Sequence, residues 1–297
     1  MRCERHGVAL APDGSCVLCR RESPPAHAPN VRGSLRPRVL ILATLLIVAL
    51  VGAAAVVRSP SRMDWLVQAA APPATASQGA TGLTGTMGVL TTKNSSGRSG
   101  VFFLPAGHDQ RPVPVLVAIH GTGSSGRQIA GVFREAAERR GFILVAPDSR
   151  QRTDGVFTWE VGDQPGDITE DFEHVRACLA EVLAMPGVRM DPGHVLIAGH
   201  SGGASTAPYV ATNTEPFTAF AVLHGGVFAG GLGRRDVRGW FSTGSVDPLR
   251  PPRGVQEAAE AVRQAGFSDV GYREFPEGHE VGAKEVEALV VWWLGGQ

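Results

Sequence analysis

Hydrophobic positions along this chain fall into three textures. Val39 to Val57 is an unbroken run of 19 residues without a formal charge, bounded by Arg38 and Arg58. Residues 58–85 are rich in Ala, Pro, Thr, Ser and Gly, with little to bury, and read as a flexible linker. From residue 86 to the end, short apolar runs alternate with amphipathic segments. The runs Val101–Leu104, Val115–Ile119, Phe142–Ala146, 194–198, Ala219–Leu223, Val237–Thr243 and Tyr272–Phe275 predict strands. Between them, Gln128–Arg140, Ile168–Leu183, a segment after Ser201, 254–265 and 281–294 predict helices. In the first of these, Ile129, Val132, Phe133 and Ala136 share one face. Continuous apolar strands alternating with helices imply a mostly parallel sheet covered on both faces, an α/β domain over residues 86–297.

As a helix the 39–57 run is about 28 Å long, near the thickness of a bilayer's hydrocarbon core. Thr44 is its only polar side chain, whereas a buried soluble helix of this length normally shows a polar face. Arginine is denser before the run (Arg20, Arg21, Arg32, Arg36, Arg38) than after it (Arg58, Arg62). The positive-inside rule therefore predicts a single-pass anchor with a cytoplasmic N-terminus and residues 58–297 outside the cytoplasm, periplasmic or extracellular. Cleavage after Ala53-Ala54-Ala55 as a signal peptide is the competing reading, though 38 residues is far too long for a usual n-region.

Charge adds little to this picture: 28 Lys and Arg balance 28 Asp and Glu, which gives no reason to expect nucleic-acid binding. Cysteine adds more. Three of the four cysteines lie in the first 19 residues, where Cys3-x-x-His6 and Cys16-x-x-Cys19 flank an Ala11-Pro12-Asp13-Gly14 turn. Two chelating pairs around a turn predict a zinc-ribbon-like segment over residues 1–25, with zinc replacing a core too small to form. The alternative is a disordered tail with chance cysteines. Such a module is also a candidate protein-interaction site. Residues 26–38 then read as a basic tether. Cys178 falls among Val175, Leu179 and Val182 and is expected to be a buried core thiol.

Candidate chemistry centres on Gly199-His200-Ser201-Gly202-Gly203, where an apolar strand runs into a glycine-flanked serine. The spacing predicts a strand–turn–helix whose turn is too tight for side chains at Gly199 and Gly203, holding Ser201 up and exposed. A glycine-rich βα turn with an incidental serine is the plain alternative, so the neighbours decide. Strand 237–243 runs into Gly244-Ser245-Val246-Asp247-Pro248, and strand 272–275 into Pro276-Glu277-Gly278-His279. Each delivers one further triad residue type to a strand's carboxyl end, in the order Ser, Asp, His. Taken singly, Asp247 can open a turn before Pro248 and His279 can be a solvated loop residue. After strand 115–119, His120-Gly121-Thr122-Gly123-Ser124-Ser125-Gly126 offers backbone N–H groups for an oxyanion, with Gly202 as one donor and Thr122, ahead of Gly123, as the other. A phosphate-binding loop is excluded there by the missing Gly-Lys-Ser/Thr ending.

Together these residues resemble the α/β-hydrolase superfamily over roughly residues 86–297. The Asp167–Phe172 helix start and the Gly244–Pro248 loop resemble most the poly(3-hydroxybutyrate) depolymerase and feruloyl-esterase-like branch. The resemblance implies Ser201 as nucleophile, His279 as base, Asp247 as acid, and Thr122 and Gly202 as oxyanion hole, with no cofactor for catalysis. The implied activity is hydrolysis of carboxylic esters: soluble short-chain, hydroxyalkanoate-type or feruloyl-type. The oxyanion loop lacks the cysteine often seen in depolymerases, which favours small or oligomeric soluble esters over polymer granules. A serine peptidase on the same fold, and a non-catalytic ligand-binding scaffold, are the competing functions. Four further residues are pocket candidates: His120, which also braces the oxyanion loop; Trp159, for which, as for Phe157, packing on the core is the equal alternative; His200; and His224. His224 is also a rival for the base. Asp163 and Asp167 suggest a cation site, or simply a helix cap at Asp167.

Overall fold

The computed structural model describes residues 84–92, 98–151, 157–160, 168–226 and 231–295. The zinc-ribbon-like segment, the tether, the apolar run 39–57 and nearly all of the linker lie outside them, as do Asp163 and Asp167. Among the described residues no helix is long and apolar enough to cross a membrane.

Eight strands form one sheet: β1 (Thr86–Val89), β2 (Gly100–Leu104), β3 (Val113–Ile119), β4 (Ile143–Pro147), β7 (Met190–His200), β8 (Ala219–Leu223), β9 (Arg238–Gly244) and β10 (Val270–Phe275). Their spatial order is β1-β2-β4-β3-β7-β8-β9-β10, antiparallel across β1, β2 and β4 and parallel from β4 onward. The two-residue strands β5 (Arg150–Gln151) and β6 (Phe157–Thr158) pair separately as an antiparallel ribbon. Among the described residues four α-helices lie between strands, α1 (Gly126–Arg140), α2 (Glu170–Leu183), α3 (Ala207–Asn213) and α4 (Pro252–Gln264), and α5 (Ala283–Leu294) follows β10. The described residues thus adopt the α/β-hydrolase fold.

The continuous apolar runs have a simple cause. Successive β3 side chains point to opposite faces, and both faces are buried. On one face Val115, Val117 and Ile119 belong to a continuous buried cluster that takes in Phe172, Val175 and Cys178 of α2, Val210 of α3 and, further along the sheet, Val255 of α4. Leu116 and Ala118 pack on the other side with Ile129 and Phe133 of α1 and Leu289 and Trp293 of α5. Each large side chain buried this way contributes about 1.5–3 kcal/mol relative to leaving it in water. Cys178 is fully buried, and burial pushes its thiol up to about 12, so it is an inert core residue.

Helix starts and stops follow local chemistry. Ser125 caps α1 by accepting the Gln128 N–H, and Gly141 ends it at φ 67°, a left-handed value that glycine adopts without strain. Thr169 caps α2, accepting the Phe172 N–H, with Glu170, Asp171 and Glu173 in the first turn. The segment after Ser201 differs from a plain helix: a 3₁₀ turn at Gly203–Ser205 precedes the seven-residue α3. From β3 the chain steps outward to β4, then returns by α2 to place β7 on the opposite side of β3. This reversal opens a crevice at the strands' carboxyl ends, flanked by the His120 loop and by Ser201.

Candidate active site

Ser201 sits at the end of β7 with φ 51°, one of two non-glycine residues at positive φ among those described. Such a backbone is strained for a residue with a Cβ, and it persists because the surroundings fix it. The Ser201 N–H donates to Leu223 O at 2.9 Å, and the Ser201 carbonyl accepts from the Ala204 N–H at 3.1 Å. The flanking glycines are sterically required. A Cβ on Gly199 would sit 2.2 Å from Gly203 O, and one on Gly203 would sit 2.6 Å from His120 O. Serine is thereby lifted off the 3₁₀ turn.

The loops after β9 and β10 meet this serine. Gly244 ends β9 so close to the histidine loop that a Cβ there would lie 2.1 Å from the Glu277 and Gly278 carbonyls. His279 Nε2 lies 2.9 Å from Ser201 Oγ, and His279 Nδ1 lies 2.8 Å from Asp247 Oδ2. With Nδ1–H donating to the carboxylate, Nε2 is left to accept the serine proton. Asp247 is 3 % exposed, and its Oδ1 accepts the Leu249 and Arg250 N–H groups, each at 2.8 Å. Burial pushes this carboxyl up, but donation from Arg250, His224, His279 and Leu249 outweighs it, and the pKa falls to about 2. Asp247 is an anion at every working pH.

The loop after β3 meets the same turn. Thr122 lies beside Gly202, near enough that a Cβ on Gly202 would be 3.1 Å from the Thr122 nitrogen. Among the described residues neither the Gly202 nor the Thr122 N–H has a backbone acceptor, whereas the Ser201 N–H is already used. His120 braces the loop from below. Its Nε2 accepts the Ser149 N–H at 3.0 Å, which puts the proton on Nδ1 to donate to Gly121 O at 2.7 Å. The Trp159 indole N–H donates to His120 O at 2.8 Å.

The four pocket candidates differ in depth. His120 and His224 are fully buried beneath the site, and Trp159 is 9 % exposed, its indole serving as a strut for the oxyanion loop. His200 is half-buried, with Nε2–H donating to His279 O at 3.2 Å. Burial and the neighbouring His279 and His224 rings lower its pKa to about 4, so it stays neutral. His224 does not replace His279 as the base, because carboxylates occupy both its nitrogens: Asp247 Oδ2 at 2.8 Å from Nδ1 and Glu285 Oε2 at 3.1 Å from Nε2.

Two residue groups here escape a reading of the sequence. Glu285 is fully buried in the first turn of α5, and its one signal is a charged residue in register with the apolar stripe of Leu289 and Trp293 at i+4 and i+8. Asp171 is also fully buried. It pairs with Arg98 and Arg150 and accepts the Glu160 N–H. As a metal site, the one candidate trio among the described residues is His224, Asp247 and His279. Their 2.8 Å hydrogen bonds are shorter than the spacing of about 3.3 Å that two ligands 2.0–2.1 Å from a tetrahedral zinc require. The trio is a hydrogen-bonded cluster and not a metal cradle.

Solved structures share this arrangement of strands and helices. A carboxylesterase from Mesorhizobium loti is 20 % identical, with a TM-score of 0.51 over 71 % of this chain and 99 % of that one. The acyl-protein thioesterase 2 of Zea mays is 20 % identical at TM-score 0.50, again over 71 % and 99 %. Esterase PE8 is 19 % identical at TM-score 0.50, over 67 % and 99 %. No family model and no curated protein matches the sequence. At these identities the likeness establishes the α/β-hydrolase fold.

Proposed function

We propose that this chain is a serine hydrolase that cleaves carboxylic esters through an acyl-enzyme. One observation carries the reading: Ser201 Oγ, His279 Nε2, His279 Nδ1 and Asp247 Oδ2 form a continuous relay at 2.9 and 2.8 Å. Ser201 Oγ attacks the ester carbonyl while its proton passes to His279 Nε2. The Gly202 and Thr122 N–H groups hold the oxyanion of the tetrahedral intermediate. The imidazolium returns its proton to the departing alkoxide, leaving an acyl-serine and a free alcohol. Water then repeats the sequence with its own proton on His279, and release of the acid regenerates Ser201. Asp247 keeps the imidazole in the productive tautomer and stabilises its cationic form.

For substrate we propose small or oligomeric soluble esters of hydroxyalkanoate or feruloyl type. An acyl-protein thioesterase among the fold's relatives adds thioesters as a second class to test. A panel graded by acyl length, with feruloyl, hydroxybutyryl and thioester members and one matched amide, separates these from each other and from a peptidase. Ser201→Ala is expected to abolish hydrolysis of short p-nitrophenyl esters and labelling by a fluorophosphonate probe. Equal rates in variant and parent would exclude the mechanism, and an unlabelled, inactive parent would support a ligand-binding scaffold.

We further propose that residues 39–57 anchor the enzyme as a single-pass helix with the catalytic domain extracytoplasmic, and that Cys3, His6, Cys16 and Cys19 hold a structural zinc in a cytoplasmic interaction module. The uncharged run, the arginine asymmetry and the paired Cys/His spacing support both. Release of the full chain from membranes by alkaline carbonate would contradict the anchor. Equal zinc content before and after Cys16→Ser would contradict the metal site.

A further inference from the structure

Behind the relay lies a second, deeper pair that the mechanism above does not use. His224 follows β8 at φ 53° and is fully buried, as is Glu285 of α5. The Asp247 oxygen that accepts from His279 Nδ1 also lies 2.8 Å from His224 Nδ1. On the far side, His224 Nε2 faces Glu285 Oε2 at 3.1 Å. Glu285 Oε1 is 2.6 Å from Ser242 Oγ, whose oxygen accepts the Trp240 indole N–H at 3.0 Å. Ser242 must therefore spend its own proton on Glu285.

The proton count follows from the donor inventory. An imidazole between two carboxylate oxygens satisfies both only if both ring nitrogens carry protons. The Gly244 N–H also approaches Nδ1, but at 3.3 Å it is the longer contact, and the carboxylate at 2.8 Å fixes a proton on that nitrogen. Other ionisable neighbours of the ring are His279 and His200, with ring centroids 5.7 and 5.6 Å away. His200 stays neutral, as burial dictates. Asp247, His224 and Glu285 then sum to one negative charge, the same as Asp247 alone.

We propose that His224 is a positioning residue, held as a buried imidazolium between Asp247 and Glu285, and that Glu285 acts on the triad through it. The link fixes the direction of Asp247 Oδ2 towards His279 and sets the local field in which His279 takes up its proton. It rests on the esterase reading. Burial lowers the His224 pKa, but Glu285 and Asp247 outweigh burial and raise it.

The test uses the full chain. His224→Asn keeps a donor in reach of Asp247 and suits the positive φ, but removes the cation and the link to Glu285. With that cation gone His279 protonates more easily, so the acid limb of kcat/KM is expected to move up by about one pH unit. A fall in kcat of about tenfold with KM unchanged is expected alongside. In Glu285→Gln, NMR of ¹⁵N-labelled histidine should show His224 losing its second ring proton at a lower pH than in the parent. An unshifted limb with parental kcat in His224→Asn overturns the proposal. So does a singly protonated His224 in the parent, or an unchanged His224 titration in Glu285→Gln. A parent with both ring protons but no ester turnover counts against the esterase reading, because the NMR measurement does not depend on catalysis.

Discussion

The carboxyl edge of the sheet holds two buried aspartates whose partners differ in kind. Asp171, at the start of α2, is surrounded by the guanidinium groups of Arg98 and Arg150 and the Glu160 N–H. Asp247, after β9, is surrounded by two imidazoles and two backbone N–H groups. Both carboxylates are satisfied, as buried charges must be. Guanidinium cannot give up its proton in a protein, so the Asp171 cluster can only hold elements together: the start of β2, the β5–β6 ribbon and α2. Imidazole exchanges its proton near neutral pH, so the Asp247 cluster can pass one to and from Ser201. The partner's chemistry, not the depth of burial, separates a structural carboxylate from a reactive one.

Substitution by the isosteric amide at each aspartate tests that contrast. Asp247→Asn is expected to lower kcat on a p-nitrophenyl ester by about 10⁴ per folded molecule, because the amide favours the wrong His279 tautomer, with a loss of stability alongside because the buried carboxylate is ionised between two imidazoles. Asp171→Asn is expected to cost stability without that rate loss. It leaves Arg98 buried without its counter-charge and should cost about 3 kcal/mol or more of stability by urea denaturation, with the rate per folded molecule near that of the parent. A large rate loss in Asp171→Asn, measured at a temperature where it remains folded, would merge the two clusters into one functional unit.

The smallest expected effect is in the pH dependence of stability. The His200 pKa is about 4 in the folded chain and about 6.5 when unfolded, so the unfolded state binds more protons between these values. Stability should therefore fall as pH drops from about 6.5 to 4, and the His200 contribution should level off below that. Asp247 acts lower: its carboxyl contribution is present above about pH 4 and is lost as pH falls towards 2. Urea midpoints across this range should show a shallower slope above pH 4 in His200→Asn than in the parent. Burial also lowers the pKa values of His120 and His174, so part of the slope should survive.

The two clusters also differ in how far the sequence discloses them. Ser201 and Asp247 stand just beyond apolar runs and His279 just beyond the more polar edge strand Val270–Phe275, so the strand pattern locates them at one edge, in the right order. The glycines at 199 and 203 mark the tight turn, and the oxyanion loop is marked by its own glycines after β3. The Arg98–Asp171 pairing spans 73 residues and depends on β2 running antiparallel beside β4, which no local pattern states. His224 and Glu285 are 61 residues apart, joined only because α5 packs its stripe against β9 and its neighbours. Strands β5 and β6, at two residues each, are too short for any periodicity, and β1 is half-exposed with no apolar run to announce it. Long-range polar contacts between elements are where pattern reading stops.

The central claim is that Ser201 is the nucleophile of the His279–Asp247 relay. Reaction of the full chain with a fluorophosphonate, followed by mass mapping, tests it most directly. The account predicts one stoichiometric phosphonyl adduct on Ser201, absent in Ser201→Ala and slowed by orders of magnitude in Asp247→Asn. An adduct on another residue, or labelling of Ser201→Ala at the parental rate, would contradict it.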